Sequence, residues 1–207
     1  MKRMITGLLA AVCFVLPAAG YSAQARGAAL YDCLTGSFLW EQNGSTPMGM
    51  ASTTKIMTAL VALELYDPGQ VIAVRPEWCG IEGSSMYLRA GERLTVRQLL
   101  QGLMLMSGND AAAALAGLHP EGEAGFVAAM NQKAQDLGLT DTRFENPSGL
   151  DGAGHYTTAR DMAMLAAAAL ENTAFAEIVA TKSVTTAGRY MKNHNKCQYG
   201  LMDQKRT

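Results

Sequence analysis

Between Thr53 and Leu170 the chain reads as one apolar helical segment after another, and this central block limits most strongly what the chain can fold into. From Thr53 to Leu65, Ile56, Met57, Leu60, Val61 and Leu63 recur at helical spacing with no Gly or Pro among them. That pattern predicts a buried helix with Ser52 at its N-terminus. Thr95-x-x-Gln98 is a capping-box pattern that opens an apolar helix through Met106, which Ser107-Gly108-Asn109 breaks. Asp110 is expected to cap the next, Ala-rich helix to Leu118, and a further helix from Glu123 to Leu137 stops at Gly138. Asn146-Pro147-Ser148-Gly149 is a turn cluster, and Thr158-x-x-Asp161 opens a last Ala-rich helix to Leu170.

Strand-like segments flank this block and interrupt it after its first helix. Residues 27–34 and 37–42, separated by Thr35-Gly36, predict a β-hairpin, 71–74 is β-like, 80–94 reads as Gly-punctuated loop, and 181–191 leans to β again. With 49% hydrophobic and 17% charged residues, 207 residues suffice for one substantial core. A net charge of -1 without like-charge runs gives no electrostatic reason to expect nucleic acid as a partner. His119, His155 and His194 stand far apart, and neither H-x-x-x-H nor C-x-x-C occurs, so no zinc ligand set is visible and no metal is expected.

The first 25 residues differ from the rest. Lys2 and Arg3 precede an apolar run from Met4 to Gly20, and Ala23-Gln24-Ala25 follows. Charged start, short apolar middle and small-x-small ending read as an export signal cleaved after Ala25, with a retained membrane anchor as the alternative. Residues 26–207 are then the working domain. They keep Cys33, Cys79 and Cys197, an odd number with no close pair, so no disulfide framework is written into them.

A serine hydroxyl becomes a useful nucleophile only when a base takes its proton and donors await the oxyanion. Ser52-Thr53-Thr54-Lys55 offers this, because residues three apart on a helix share a face and Lys55 reaches back to Ser52. Burial against Ile56 and Met57 would lower the lysine pKa toward a neutral, basic form. The helix N-terminus offers free N–H groups where negative charge builds up. The spacing alone arises by chance about once in a chain of this length, and its plain alternative is a helix cap beside a surface lysine. Ser107-Gly108-Asn109 adds a second hydroxyl and an amide on a loop between helices. Ser107 is positioned to relay a proton, and Asn109 to hold Lys55 and a substrate amide; the alternative is an ordinary turn.

Ala51-Ser52-Thr53-Thr54-Lys55-Ile56-Met57 and Met106-Ser107-Gly108-Asn109-Asp110 resemble the first two active-site motifs of the D-alanyl-D-alanine carboxypeptidases, the low-molecular-mass penicillin-binding proteins. Gly83-Ser84-Ser85-Met86, Gly91-Glu92-x-Leu94-Thr95, Asn146-Pro147-x-Gly149-Leu150-Asp151, His155 to Met162 and Asn193-His194-Asn195-Lys196 resemble that family in the same order. The resemblance implies an α/β fold of the penicillin-binding and serine β-lactamase type, an antiparallel sheet flanked by helices with a helical subdomain. It implies Ser52, Lys55, Ser107 and Asn109 as catalytic residues, Asn109 also as substrate-binding, and no cofactor. The implied partners are peptidoglycan stem peptides ending in D-Ala-D-Ala and β-lactam antibiotics, met at the periplasmic or extracellular face of the cytoplasmic membrane.

The family's third motif, Lys-Thr-Gly, is expected soon after Lys196, and residues 197–207 diverge without supplying it. The abrupt change at Cys197 reads as a reading-frame or gene-end artefact. Out of phase by two nucleotides, the codons for Leu201 to Thr207 can spell Asp-Gly-(Ser/Pro)-Lys-Thr. On that reading the C-terminal strands are missing, the 207-residue fragment is inactive, and membrane association is possible only through the missing C-terminal region. Two further readings stand beside it. A serine β-lactamase shares the first motif but more often has Ser-Asp-Asn at the second, and a non-catalytic remnant would only bind cell wall or β-lactam. The signal reading makes Arg26 the mature N-terminus, and N-terminal sequencing of exported protein checks it; material beginning at Met1 would contradict it.

Overall fold

The computed structural model describes residues 23–195, so the apolar run before Ser22 and the divergent residues 197–207 lie outside the described residues. Chain order within them begins with β1 (Ala28–Asp32) and β2 (Ser37–Gln42), the antiparallel hairpin expected from the sequence. A single 3₁₀ turn, Ala51–Thr53, leads into α1 (Thr54–Leu65). Then come β3 (Val71–Ala73), β4 (Arg93–Thr95), α2 (Val96–Met106), α3 (Asn109–Gly117) and α4 (Gly122–Asp136). A long connection precedes α5 (Ala159–Glu171), α6 (Thr173–Ala180) and a hairpin of β5 (Ser183–Thr186) and β6 (Arg189–Lys192).

Helix α1 is the axis. Thr54, Lys55, Met57, Thr58, Ala59, Leu60, Val61 and Ala62 are all buried, as expected of a helix that is apolar around most of its circumference. It packs against α2, α3, α4, α5 and α6, whose inward residues include Leu99, Leu103, Leu115, Phe126, Met130 and Leu165. Around this helical centre the described strands form three separate antiparallel pairs, β1–β2, β3–β4 and β5–β6.

Local chemistry sets the boundaries. Thr95 Oγ1 accepts from Gln98 N–H at 3.2 Å while Gln98 Oε1 accepts from Thr95 N–H at 2.9 Å, the reciprocal capping box that starts α2. Thr158 caps α5 by accepting from Asp161 N–H at 3.0 Å. Three expectations are corrected. Arg93 and Leu94, read as the end of the 80–94 loop, form with Thr95 a strand that pairs with β3, because the apolar Leu94 has the Ile72 position to pack beside. Helix α6 escapes the sequence reading because only Asn172 separates it from α5, and that residue both closes one helix and caps the next by accepting from Ala174 and Phe175 N–H. Asp110 is no cap either.

Helix α3 starts at Asn109 with Gly108 as its cap residue, which leaves the Asp110 side chain in the first turn and fully buried. Its carboxylate accepts from Met86 N–H (3.0 Å), Leu88 N–H (2.9 Å), Ala111 N–H (2.9 Å) and the Ser85 hydroxyl (2.6 Å). One buried acid thus ties the 85–88 loop to the start of α3. Asp110→Ala strands those donors and is expected to destabilise the fold by about 3–5 kcal/mol. Asp110→Asn, which keeps the shape and one acceptor oxygen, is expected to cost clearly less, and denaturant midpoints of the two variants check the order.

Candidate active site

Ser52 is exposed and Lys55 is 2% exposed, so the hydroxyl faces solvent while the amine behind it belongs to the core. The turn at Ala51–Thr53 followed by α1 places Lys55 Nζ 3.2 Å from Ser52 Oγ. The ammonium also donates to the Ser148 carbonyl at 2.5 Å. Burial pushes the amine down from 10.5 to about 8, because desolvation penalises the charged form and among the described residues no carboxylate pairs with it to restore it. The Ser52 N–H makes no backbone hydrogen bond among the described residues, which leaves a donor at the helix entrance.

The Ser148 carbonyl is aimed by its own loop. Asn146 Oδ1 accepts from Ser148 N–H (3.2 Å), Ser148 Oγ (3.1 Å) and Gly149 N–H (2.7 Å), an Asx turn that folds 146–149 back over α1. The Thr58 hydroxyl donates to Pro147 O at 2.6 Å, fastening the loop one turn further along the helix. Gly149 has φ +88° and lies so close that a Cβ there would stand 1.9 Å from Ala51 O. Only glycine meets both conditions. Farther back, paired backbone bonds join Met48 to Thr157 (2.8 and 3.0 Å) and Arg143 to Tyr156 (2.9 and 3.1 Å), so the 143–157 connection is stitched to the strand entering the Ser52 turn.

The second pair of expected residues sits at the α2–α3 junction. Ser107 closes α2 in the left-handed region (φ 56°), half-buried, with no hydrogen bond from its hydroxyl to another described residue. Asn109 does not hold Lys55 as expected. Its Nδ2 donates to Glu82 O at 2.6 Å and its N–H to Ser84 O at 2.7 Å. The reason is geometric: as first residue of α3 it faces the 82–84 loop, and Gly83, where a Cβ would meet Asn109 Nδ2 at 2.6 Å, makes room for it. Helix α3 packs on α1, but among the described residues no hydrogen bond joins Ser107 or Asn109 to Ser52 or Lys55. Unreadable in the sequence are the Ser148 and Glu82 carbonyls, which carry no side-chain signal, and the pairing of Thr54 with His155, buried at 2.7 Å beside the Ser52 turn.

A family model described as D-alanyl-D-alanine carboxypeptidase matches residues 16–205. The chain is 35% identical over 188 residues to the D-alanyl-D-alanine carboxypeptidase DacF of Bacillus subtilis, covering 88% of this chain and 47% of that protein. It is 36% identical over 178 residues to DacD of Escherichia coli, covering 80% of this chain and 46% of that one. The chain therefore spans about half the length of the curated relatives it matches. Among solved structures it resembles a D-alanyl-D-alanine carboxypeptidase of Mycobacterium tuberculosis, with a TM-score of 0.79, 34% identity, and 83% of this chain and 67% of that one covered. Penicillin binding protein 6B of Escherichia coli gives a TM-score of 0.79 at 31% identity over 89% of this chain and 62% of that one.

The Lys55 environment has a measurable consequence. In the unfolded chain the amine holds its proton up to 10.5, in the folded chain only to about 8, so between these values the unfolded state binds more protons. Stability from this group is therefore expected to rise with pH across that window. The difference in unfolding free energy between unmodified protein and Lys55→Met, followed from pH 7 to 10.5, checks it; a constant difference would contradict a buried, destabilised ammonium.

Proposed function

The chain belongs to the D-alanyl-D-alanine carboxypeptidase family, and on that footing we propose that its gene product removes the terminal D-alanine from peptidoglycan stem peptides through an acyl-enzyme on Ser52. The observation that carries the reading is the exposed Ser52 hydroxyl 3.2 Å from a buried Lys55 amine whose affinity for protons is lowered to about 8. Near neutral pH a fraction of such an amine is already unprotonated and able to act as a base.

Neutral Lys55 takes the Ser52 proton as Oγ attacks the carbonyl carbon between the two terminal D-alanines. The C–O bond forms, the oxyanion develops toward the Ser52 N–H, and the C–N bond breaks as the leaving amine receives a proton from Lys55 by way of the Ser107 hydroxyl. Free D-alanine departs. Water then attacks the ester carbon and gives a proton to Lys55, the ester C–O bond breaks as Lys55 passes that proton to Ser52 Oγ, and the shortened peptide leaves with Ser52 and neutral Lys55 restored. Asn109 has committed its Nδ2 to Glu82, so its carbonyl oxygen is the group left to accept from a substrate amide N–H. A β-lactam presents a strained amide to the same hydroxyl and acylates it. The work is done outside the cytoplasm, at the periplasmic or extracellular face of the cytoplasmic membrane, a placement supported by the charged, apolar and small-residue pattern of residues 1–25.

In the full gene product, Ser52→Ala is expected to abolish covalent labelling by a fluorescent penicillin. Lys55→Arg keeps the charge but cannot be deprotonated near neutral pH, and is expected to slow labelling by about 10²–10⁴-fold. Gel fluorescence and the mass of the labelled peptide read both effects. Labelling that survives both changes would place the nucleophile elsewhere.

A further inference from the structure

Behind the Ser52 turn lies a buried imidazole that the chemistry above does not use. His155 is 4% exposed, and both of its ring nitrogens are engaged. The Glu145 N–H donates to Nδ1 at 3.0 Å. A nitrogen that accepts carries a lone pair, so the neutral ring has its proton on Nε2. Nε2 lies 2.7 Å from Thr54 Oγ1 and therefore donates to it. The Thr54 hydroxyl spends its own proton on the Ala51 carbonyl at 2.8 Å. Every donor in this row has one acceptor, and the row runs in one direction, from the 143–157 connection to the residue before Ser52.

Its end point is a strained one. Ala51 holds φ 44°, in the left-handed region that residues with a Cβ seldom adopt, and such a conformation persists only where its surroundings over-determine it. Three contacts do so here: Gly149 packs against Ala51 O from outside, and the Thr54 hydroxyl and the Thr54 N–H both donate to the same oxygen from within. Ser52 follows directly, so the tilt of the Ala51 peptide sets where its Oγ stands relative to Lys55 Nζ.

We propose that His155 is a positioning residue for the nucleophile: as the neutral Nε2–H tautomer it orients Thr54, which fixes the Ala51 carbonyl and hence the Ser52–Lys55 geometry. The inference rests on the acyl-transfer reading of Ser52. It also makes the turn sensitive to acid. A protonated ring bears a proton on Nδ1 facing the Glu145 N–H, two donors against each other, so the link to the connection must break. The groups around the ring divide in their effect. Burial lowers its affinity for a proton below the usual 6.5 and is the dominant influence, while the Glu145 and Asp151 carboxylates pull the other way. The Phe144 ring meets it edge-on at 5.9 Å; from α1 it faces the Thr54 hydroxyl, while the next residue, Lys55, turns its charge to Ser52 and Ser148.

The test uses the full gene product and benzylpenicillin, with the second-order rate of Ser52 acylation followed by mass from pH 4.5 to 9. Thr54→Val keeps the shape but removes the hydroxyl, and is expected to acylate about 10- to 100-fold more slowly. Thr54→Ser restores the hydroxyl and is expected within about threefold of the unmodified rate, a rescue that lost packing alone does not predict. His155→Gln, which has no titrating ring, is expected to keep the fall in rate that protonation of Lys55 causes below about 8 and to lose only the further, steeper fall at the acid end, below 6.5. Nitrogen NMR of the ring reads the tautomer without any activity, and the proton is expected on Nε2 with no titration near 6.5. A normal acylation rate in Thr54→Val, or a ring protonated on Nδ1 at neutral pH, overturns the positioning role while leaving the nucleophile in place. No adduct on Ser52 in the unmodified protein overturns the acyl-transfer reading and this role together.

Discussion

The pairing of the Lys55 amine with the Ser148 carbonyl, inside a helix that has almost no wet side, is the contact on which the rest of the site depends. Helix α1 is buried over most of its circumference from Thr54 to Ala62, so a lysine in its first turn has nowhere to snorkel and must give up its water. One carbonyl at 2.5 Å and one serine hydroxyl at 3.2 Å replace that hydration only partly. The shortfall is what lowers the proton affinity of the amine, and it demands a loop over α1 at one fixed height. Asn146, Pro147 and Gly149 follow from that demand: an Asx turn to aim the carbonyl, a backbone acceptor for Thr58, and a residue without a Cβ where the loop touches Ala51.

Much of the frame was legible in the sequence because helix ends are local events. Thr95 with Gln98 and Thr158 with Asp161 act within one turn of themselves, and the structure has both caps where the spacing put them. The residues that failed to read are those whose partners lie far along the chain. Asp110 follows a turn and looks like a cap, but its four donors include Ser85, Met86 and Leu88, more than twenty positions earlier. The spacing of Ser52 and Lys55 was readable because a helix brings them together. The acceptor for Lys55 was not, since Ser148 contributes a carbonyl that any residue has, and only the fold says which carbonyl arrives. Nothing in the sequence distinguishes Lys55 from the 82–84 backbone as the partner of Asn109, and in the fold that backbone has it.

The same distinction explains the strands. Three antiparallel pairs would be weak structures alone, and each is secured by a specific tie to the helices. In the first, Glu41 of β2 pairs with Arg160 of α5 at 2.7 Å, and that guanidinium lies 4.1 Å over the Phe38 ring. The second runs directly into the capping box of α2 through Thr95. For the third, the Thr186 hydroxyl accepts from Gln98, the same side chain that closes the box, and Arg189 takes on the loop beyond.

Arg189 shows how the two halves of the candidate site are held by different physics. Its guanidinium donates to both oxygens of Glu92 (2.5 and 2.7 Å), to Met86 O (2.6 Å) and to Tyr87 O (2.7 Å), and thus fastens the hairpin of β5 and β6 to the loop that Asp110 holds from inside. Hydrogen bonding and charge from each partner stabilise the ionised form of the other, drawing Glu92 below and Arg189 above their ordinary ranges. This brace of the Ser107–Asn109 side is ionic, and its side chains are still 15% and 21% exposed, so water and salt reach it. Among the described residues the brace of the Ser52–Lys55 side has no ion pair. It consists of a neutral imidazole, two threonine hydroxyls and backbone groups, most of them sealed in the core. A charged partner close to Lys55 would have stabilised its ammonium and raised its proton affinity again. Neutral support on that side is therefore the arrangement that holds the amine in place without undoing the effect of its burial.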